Sequence, residues 1–400
     1  MNVLVINSGS SSIKYRLFDM VDETELASGL LERIGEDNSR MVHRASGRTA
    51  DITETVRIPT HREGWACIQA ALKQSGRLEG AHALYGIGHR VVHGGAVFRE
   101  PVVIDDGVTA AIRRLSPLAP LHNPANLTGI EAALETAPDI PQVAVFDTAF
   151  HQTLAPEAYH YALPRSIAES HGIRRYGFHG TSHAFVAGKA AAFLNAPLDD
   201  LNLITLHLGN GASAAAIQKG RCVDTSMGMT PLEGLIMGTR GGDLDPGALL
   251  HLVRKMGGDV DAVDDLLNRQ SGLKGICGEN DMREVMRMAE RGDDLASLAM
   301  DMVIHRIRKY IGAYHAIIGG AHAVVFTGGI GENAPDIRQR ICDGLTHLGI
   351  TIDSHINTIR PFEVLPVHAA DSPVSVLVVR TNEELAIAQQ TVTCLQTRPR

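Results

Sequence analysis

Apolar positions in this chain fall into two rhythms. Val3–Ile6 is an uninterrupted apolar run, whereas Ile13, Tyr15 and Leu17 alternate with Lys14 and Arg16. Alternation of period two predicts a strand with one wet face, and a short unbroken apolar run fits a buried strand. Small polar residues, Asn7–Ser12, lie between them, so residues 3–18 read as strand, Gly/Ser loop, strand. Residues 203–220 repeat the unit, with the loop Gly209–Ser213 between two apolar stretches. One such unit opens each half of the chain, which points to an internal duplication; a chance pair of glycine hairpins is the alternative.

Further segments place polar residues where apolar runs stop. Residues 323–345 read as strand, glycine turn and helix, with Pro335 in the helix's first turn. Arg90 lies in a glycine-flanked stretch, Asp147 ends an apolar strand, and Arg240 sits in the glycine-rich loop 238–243. Asp245 and Pro246 are an N-cap and first helical residue. Thr381-x-x-Glu384 has the form of a capping box opening a C-terminal helix. The polar, irregular stretch 31–60 reads as surface hairpins or loops. Strands and helices alternate throughout, which predicts an α/β protein with ligands at the strand–loop edge, in a cleft between two domains parted near residue 150.

Composition narrows the function classes. The 400 residues are 44% hydrophobic and 20% charged, ordinary for a globular protein, with a net charge of -8. That charge argues against nucleic acid or an anionic membrane as partner. No apolar run is long enough to span a bilayer, and no basic segment precedes the apolar start, so neither a membrane span nor a signal peptide is expected. The five cysteines are scattered and never form C-x-x-C, which suits a cytoplasmic setting without structural zinc. His179 and His183 lack the glutamate of a metalloprotease motif.

The first Gly/Ser loop has phosphate-binding chemistry. Gly9 permits close backbone approach, Ser10 and Ser12 supply hydroxyls, and Lys14 a cation. It is not a Walker A loop, and an ordinary serine-rich turn fits the same residues equally well. Arg90 and Arg240 could each be a loop ion pair, His179 a satisfied core histidine, and Asp147 a cap.

Taken together, VLVINSGSSSIKY, GHRVVHGG, LHNPANLTGI, VAVFDTAFH, RRYGFHGTSH, HLGNGAS, DTSMGMTPLEGLIMGTRGGDLDPG, NRQSGLKGIC, NDMREV, FTGGIGEN and RTNEELAIA resemble the acetate kinase family, in family order over nearly the whole chain. Met229, Gly241 and Gly278–Asn280 depart from the common pattern. The resemblance implies two duplicated ribonuclease-H-like domains of the acetate and sugar kinase, heat-shock chaperone and actin superfamily, with ATP between them. Residues 1–150, joined by a C-terminal helix over 384–400, would form the first domain and 151–383 the second. It implies reversible transfer from ATP to acetate, giving ADP and acetyl phosphate, with Mg²⁺ or alternatively Mn²⁺, in a homodimer.

Residue by residue, the resemblance assigns Arg90 to the carboxylate, Arg240 to the equatorial phosphoryl oxygens, and His179 to a donor role toward the transferring phosphate. Asp147 matches an acidic residue often described as proton donor or acceptor. A carboxylate nucleophile needs no base, so positioning of Arg90 and of metal-bound water is the better chemical role. Asn7 and Glu383 match the metal site, and two oxygen donors suit a cation that keeps its waters. Lys14, Ser10, Ser12, His207, Leu208, Gly209, Asn210 and Gly211 match phosphate contacts; Asp281, Met282, Arg283, Gly329, Ile330, Gly331, Glu332 and Asn333 match adenosine contacts. Val92, Leu121, Phe178 and Pro231 would line a pocket for a short acyl chain, with propionate as an alternative substrate.

Two rivals remain at this point. Gly329–Ala334 satisfies G-x-G-x-x-A after a strand, and Asp353 lies where a dinucleotide's ribose-binding acid would be sought. An ATPase of the chaperone or actin kind would share the fold without a carboxylate substrate.

Overall fold

The computed structural model describes residues 1–47, 51–78 and 83–397. Contacts divide the chain into two compact units, Met1–Ala149 with the chain from Asn382 onward, and Phe150–Thr381.

In the first unit, β1 (Asn2–Ser8), β2 (Ser12–Asp19), β3 (Thr24–Glu32), β4 (Arg40–Ala45), β5 (Ile52–Thr55), β6 (Leu84–Val91), β7 (Val102–Val103) and β8 (Gln142–Phe146) form one sheet in the order β5-β4-β3-β2-β1-β6-β8-β7. β1 and β2 pair antiparallel with Asn7 opposite Lys14, while β6 and β8 run parallel to β1. The two rhythms of the sequence have their cause here. Val3–Ile6 is buried on both faces in a central strand, whereas β2 buries Ile13, Tyr15 and Leu17 and leaves Lys14 exposed. These side chains join Trp65, Ile68 and Leu72 of the 61–74 helix in one core. A second core gathers Val91, Ile112, Leu127, Ile130 and Phe146.

Of the expectations for this unit, surface hairpins over 31–60 are borne out, while unbroken alternation and the capping box are corrected. The 31–60 stretch holds the end of β3 together with β4 and β5, the outer strands of the sheet, although residues 48–50 lie outside the described residues. Its polarity is that of edge strands with a wet face. Strands and helices therefore do not alternate throughout, since β1 to β5 all precede the 61–74 helix. The expected capping box is also absent. Asn382 Oδ1 accepts the Leu385 N–H at 3.1 Å and caps the helix. Glu384 instead pairs with Lys14 and lies 3.8 Å from Arg16 Nε. Two cations on β2 hold that carboxylate more strongly than one backbone N–H would. Thr381 Oγ1 is 3.0 Å from Ser182 Oγ. The helix expected over 384–400 runs Glu383–Thr397, and residues 398–400 lie outside the described residues. It packs on β1, β6 and β8.

In the second unit, β9 (Asn202–Leu208), β10 (Ala212–Gln218), β11 (Arg221–Thr225), β12 (Ala323–Thr327), β13 (Val364–Pro366) and β14 (Ser375–Val379) are ordered β11-β10-β9-β12-β14-β13. β12 and β14 run parallel to β9. Val186, Ala187 and Ala190 of the 180–193 helix pack on Leu203, Ile217, Val325 and Leu377. Asp245 caps the 246–255 helix through the Gly247 N–H at 2.9 Å, and Pro335 opens the 335–342 helix, as the sequence predicts. Each sheet thus contains three antiparallel strands in chain order followed by two parallel ones reached through helices. This is a ribonuclease-H-like arrangement present twice. All five cysteines are free thiols, and no helix among the described residues is long and apolar enough to cross a membrane.

Candidate active site

The first unit collects its polar residues at the C-terminal ends of β1, β6 and β8. After β1 the loop 9–11 turns sharply, with the Gly9 N–H donating to Ser12 O at 2.8 Å. Neighbouring elements hold the loop by its carbonyls. His61 Nε2 lies 2.8 Å from Gly9 O, and the Ile34 N–H donates to Ser11 O at 2.9 Å. Ser10 is exposed, and Asn7 and Ser12 are half-buried.

Arg90, near the end of β6, meets Asp147, the residue after β8. Its Nε and Nη2 donate to the two carboxylate oxygens at 3.1 and 2.6 Å. The Asp147 backbone N–H also donates to Val91 O at 3.0 Å, which fixes the carboxylate relative to β6. Asp147 is 2% exposed. Burial raises its carboxyl from the ordinary carboxylate range, and Arg90 opposes that rise by charge and hydrogen bonds. The Arg90 guanidinium is held protonated chiefly by Asp147, with Glu383 and Glu384 adding to the negative surroundings. Removing one partner of such a buried pair costs about 3–5 kcal/mol because a charge is left uncompensated.

Asn7 and Glu383 are hard oxygen donors, and the negative charge of Glu383 acts on both Arg90 and Asp147. Among the described residues no three His, Cys, Asp or Glu converge as a metal cage. One amide and one carboxylate oxygen fit Mg²⁺, which retains most of its waters. Of the predicted acyl-pocket residues in this unit, Val92 is buried and Leu121 is 50% exposed.

In the second unit a histidine cluster packs beneath the loop 209–211. His179 precedes the 180–193 helix with φ of 57°, a left-handed conformation of the kind that costs about 1–3 kcal/mol and persists where surroundings enforce it. Its Nδ1 lies 2.9 Å from Ser213 Oγ, and its ring stacks on His207 with centroids 4.3 Å apart. Ser213 Oγ also lies 2.8 Å from His183 Nε2, whose Nδ1 is 2.7 Å from Thr205 Oγ1. Burial depresses His183 well below the usual imidazole range and brings His151 down to about 4. His183 was given no role by the sequence reading; its burial is invisible in a string that merely reads G-T-S-H.

Arg240 reaches the same place. Its Nη1 donates to Pro231 O at 2.7 Å. A Cβ added at Gly211 would lie 2.8 Å from Arg240 Nη2 and 3.5 Å from the His179 ring. Among the described residues no carboxylate pairs with Arg240, and burial alone lowers its pKa. The loop's shape comes from the NRQSGLKGIC motif, which the sequence reading left without a task. The Ser271, Leu273 and Lys274 N–H groups donate to Thr239, Met237 and Gly238 carbonyls at 2.9–3.0 Å. Phe178, 2% exposed, gives its carbonyl to His151 Nε2 at 2.8 Å.

A cavity of about 750 Å³ brings together Gly209, Asn210, Asp281, Met282, Arg283, Gly329, Ile330 and Asn333 of the predicted nucleotide set. Asp281 caps the 282–290 helix and pairs with Arg283, which takes its carboxyl down to about 2. Asn280, Met286, Arg287 and Glu290 also line the cavity and were missed. Met282, Met286 and Glu290 share one face of a capped helix, a spacing legible once the Asp281 cap is assigned.

Eight predicted nucleotide residues do not line this cavity: Ser10, Ser12 and Lys14 belong to the first unit, His207 and Gly211 lie beside His179, and the other three are Leu208, Gly331 and Glu332. Gly331 and Leu208 are buried. Glu332 turns its carboxylate inward, accepting the Gly328 and Thr381 N–H groups at 3.1 Å each and so tying the ends of β12 and β14 together. The dinucleotide alternative fails on the same ground. The 328–333 helix stops before Pro335, and Asp353 is used by the His355 and Ile356 N–H groups at 2.9 and 3.0 Å.

Known proteins share this arrangement. An acetate kinase of Leifsonia xyli subsp. xyli is 55% identical over 388 residues, 97% of either chain. The crystal structure of Porphyromonas gingivalis acetate kinase matches with a TM-score of 0.94 at 42% identity, covering 98% of this chain and 99% of that one. A propionate kinase from Francisella tularensis matches with a TM-score of 0.92 at 41% identity, covering 98% and 99%. The acetokinase family profile spans residues 2–389, and with relatives this similar over nearly their full length the chain belongs to that family.

Proposed function

We propose that this chain performs its family's reaction, the ATP-dependent phosphorylation of acetate, by direct in-line transfer. A carboxylate oxygen attacks the γ-phosphorus, the bond to the β,γ-bridging oxygen breaks, and ADP leaves with that electron pair. The nucleophile is already ionised at neutral pH, so the protein needs alignment and charge neutralisation more than a base.

The observation that carries this reading is Arg240, a half-buried guanidinium with no anionic neighbour among the described residues, beside His179 and over Gly211. A cation so placed is prepared for the equatorial oxygens of a transferring phosphoryl group. His179 donates to the same oxygens, Arg90 binds the acetate carboxylate, and Asp147 keeps Arg90 charged and oriented. Ser10, Ser12, Lys14 and the His207–Gly211 loop take phosphate oxygens. The cavity beside Ile330, Met282 and Asn333 takes adenosine. Asn7 and Glu383 would hold Mg²⁺, which when bound neutralises phosphate charge. If Asp147 only positions Arg90, Asp147→Asn retains more activity than Asp147→Ala; equal, complete loss of both would favour an acid–base role.

Val92, Leu121, Phe178 and Pro231 line the acyl site in this reading. One methylene in such a pocket changes binding by only ~1–3 kcal/mol. Propionate is therefore a slower substrate, in keeping with the likeness to a propionate kinase. The reading includes a cytoplasmic homodimer; the free cysteines suit a reducing compartment. A hydroxamate assay with ATP and Mg²⁺ across acetate, propionate and butyrate tests the proposal. Rates should fall in that order, and failure to form acyl phosphate from any of the three would overturn it.

A further inference from the structure

The LHNPANLTGI motif contributes only Leu121 to the proposed site, yet it builds the 123–136 helix, which presses a polar stripe onto both loops that carry the first unit's site residues. Asn123, Asn126 and Gly129 are spaced by three and so share one helical face. Asn123 takes both backbone groups of His93, accepting its N–H at 3.0 Å and donating to its carbonyl at 2.9 Å. Asn126, 4% exposed, divides its amide between two strands. Its Oδ1 accepts the Val92 N–H at 3.1 Å, and its Nδ2 donates to Ser8 O at 2.7 Å. Gly129 closes the contact, since a Cβ there would lie 2.0 Å from Ser8 Oγ and 2.6 Å from Ser8 Cβ.

The position of this amide matters. The β1–β6 ladder pairs residues as far as Ile6 with His89. Beyond that point the Asn126 amide connects the two strand ends, as backbone bonds do within the ladder. Ser8 follows Asn7, and Val92 lies two residues after Arg90.

We propose that Asn126, seated by Gly129, is a positioning residue that registers the Gly/Ser hairpin against the Arg90–Val92 segment and thereby sets metal and acetate binding together. The proposal rests on the reading of Asn7 and Arg90 given above. A carbon side chain of similar size at 126 would leave a buried N–H and a buried carbonyl without bonds, and the two strand ends would shift to recover them.

The test compares Asn126→Leu, Gly129→Ala and the pair Gly129→Ala/Ser8→Gly with the unsubstituted enzyme, using Asn7→Ala and Arg90→Lys as references. Four readouts are taken: KM for acetate, the Mg²⁺ concentration giving half-maximal rate, Mn²⁺ binding with ADP by electron paramagnetic resonance, and hydrogen exchange of the segments around Ser8 and Val92. Asn126→Leu should raise KM for acetate and the Mg²⁺ requirement together by about 10-fold or more, the scale of a modest misplacement of binding groups. It should weaken Mn²⁺ binding and speed exchange in both segments. Gly129→Ala should move the same constants in the same direction, and Ser8→Gly, which removes the clashing side chain, should restore them. Both constants within about two-fold of the unsubstituted enzyme, with only kcat or the folded fraction reduced, would overturn the proposal, because a merely packed helix behaves that way. If Asn126→Leu does not fold, Gly129→Ala and its rescue decide the matter. Failure of the underlying site reading has a different signature: Asn7→Ala and Arg90→Lys would leave these constants unmoved.

Discussion

In the hairpins β1–β2 and β9–β10, Ser8 faces Ile13 across four residues whereas Leu208 faces Ala212 across three, and burial follows the same course only into the middle of each loop. Residues 7 and 207 are half-buried, 8 and 208 buried, 9 and 209 half-buried, 10 and 210 exposed. The entries into the loops are alike, but the turns and their surroundings are not: the Gly9 N–H donates to Ser12 O, the Gly209 N–H to Gly211 O. The first loop is held at its carbonyls by His61 and the Ile34 N–H, with Asn126 on Ser8 O just before it, and the second by the Gly238 N–H on Asn210 O; in the first hairpin Ser10 and Lys14 stay exposed. In the second, glycine at 211 admits Arg240 and His179 where the first loop has Ser11. Two residues on, Ser213, opposite His207, reaches His179 and His183, while Lys14, opposite Asn7, pairs with Glu384 and Ile13 enters the apolar core. Duplication thus supplied two hairpins whose turns differ by one residue. Turn length and side chains together decide whether a hairpin presents hydroxyls or seats a guanidinium and an imidazole.

The comparison breaks first at Arg240. Arg240→Ala should lower kcat by about 10³-fold or more with an unchanged circular dichroism spectrum, the scale of a lost phosphoryl-stabilising arginine. Near-normal turnover would remove this residue from the second hairpin's chemistry. A smaller but more diagnostic effect is expected from Gly211→Ala. Its Cβ, 2.8 Å from Arg240 Nη2, must displace the guanidinium. A shift on that scale lowers kcat by roughly 10²-fold. The matching Ser11→Ala in the first hairpin should change kcat less than about two-fold, since its carbonyl carries the contact. Equal sensitivity at 11 and 211 would mean that the loops are not specialised as described.

Much of this was legible in the sequence, and the failures share a cause. Both hairpins, their glycines and the strand-end positions of Arg90 and Asp147 follow from local rhythm, because neighbours in sequence are neighbours in a turn. The outer strands β4 and β5 read only as surface hairpins or loops, because strands with a wet face keep about half their residues in water, and hairpins are what the structure has. Thr381–Glu384 has every local feature of a capping box, yet Lys14 and Arg16, far away in sequence, claim the glutamate. Glu332 was placed with the nucleotide by motif, but two strand ends use its carboxylate. Asn126 and His183 went unassigned for the same reason: their tasks are defined by partners that the topology brings together.

The next contrast lies two residues beyond the loops. Ser213→Ala removes the hydroxyl that steadies His179 and should lower kcat by about 10-fold, within the range of a misoriented catalytic donor; it also leaves His183 Nε2 without its bond, at a cost of about 1–3 kcal/mol. Ile13→Val, in the apolar core beside the first hairpin, should act on stability alone. It should destabilise by about 0.5–1.5 kcal/mol, measured by urea unfolding, and leave kcat unchanged. A kinetic effect from position 13, or none from 213, would contradict the division of labour.

The smallest effect concerns acid. His183 and His151 lie beneath the second hairpin and are held neutral by burial, His151 with a pKa of about 4. Unfolded, each returns to about 6.5. Above that value both states are neutral and the difference contributes nothing. As pH falls below 6.5 the unfolded chain takes up protons that the folded chain refuses, so stability is lost progressively toward pH 4. At pH 5 the loss is about 2 kcal/mol for an imidazole like His151. Tm should therefore fall between pH 6.5 and 5, and His151→Gln should flatten that slope even if it lowers Tm at pH 7. A slope unchanged by the substitution would mean that His151 is protonated within the fold. In that case its contact with Phe178 O, and the seating of His179 next to it, would rest on a charged donor instead of a neutral one.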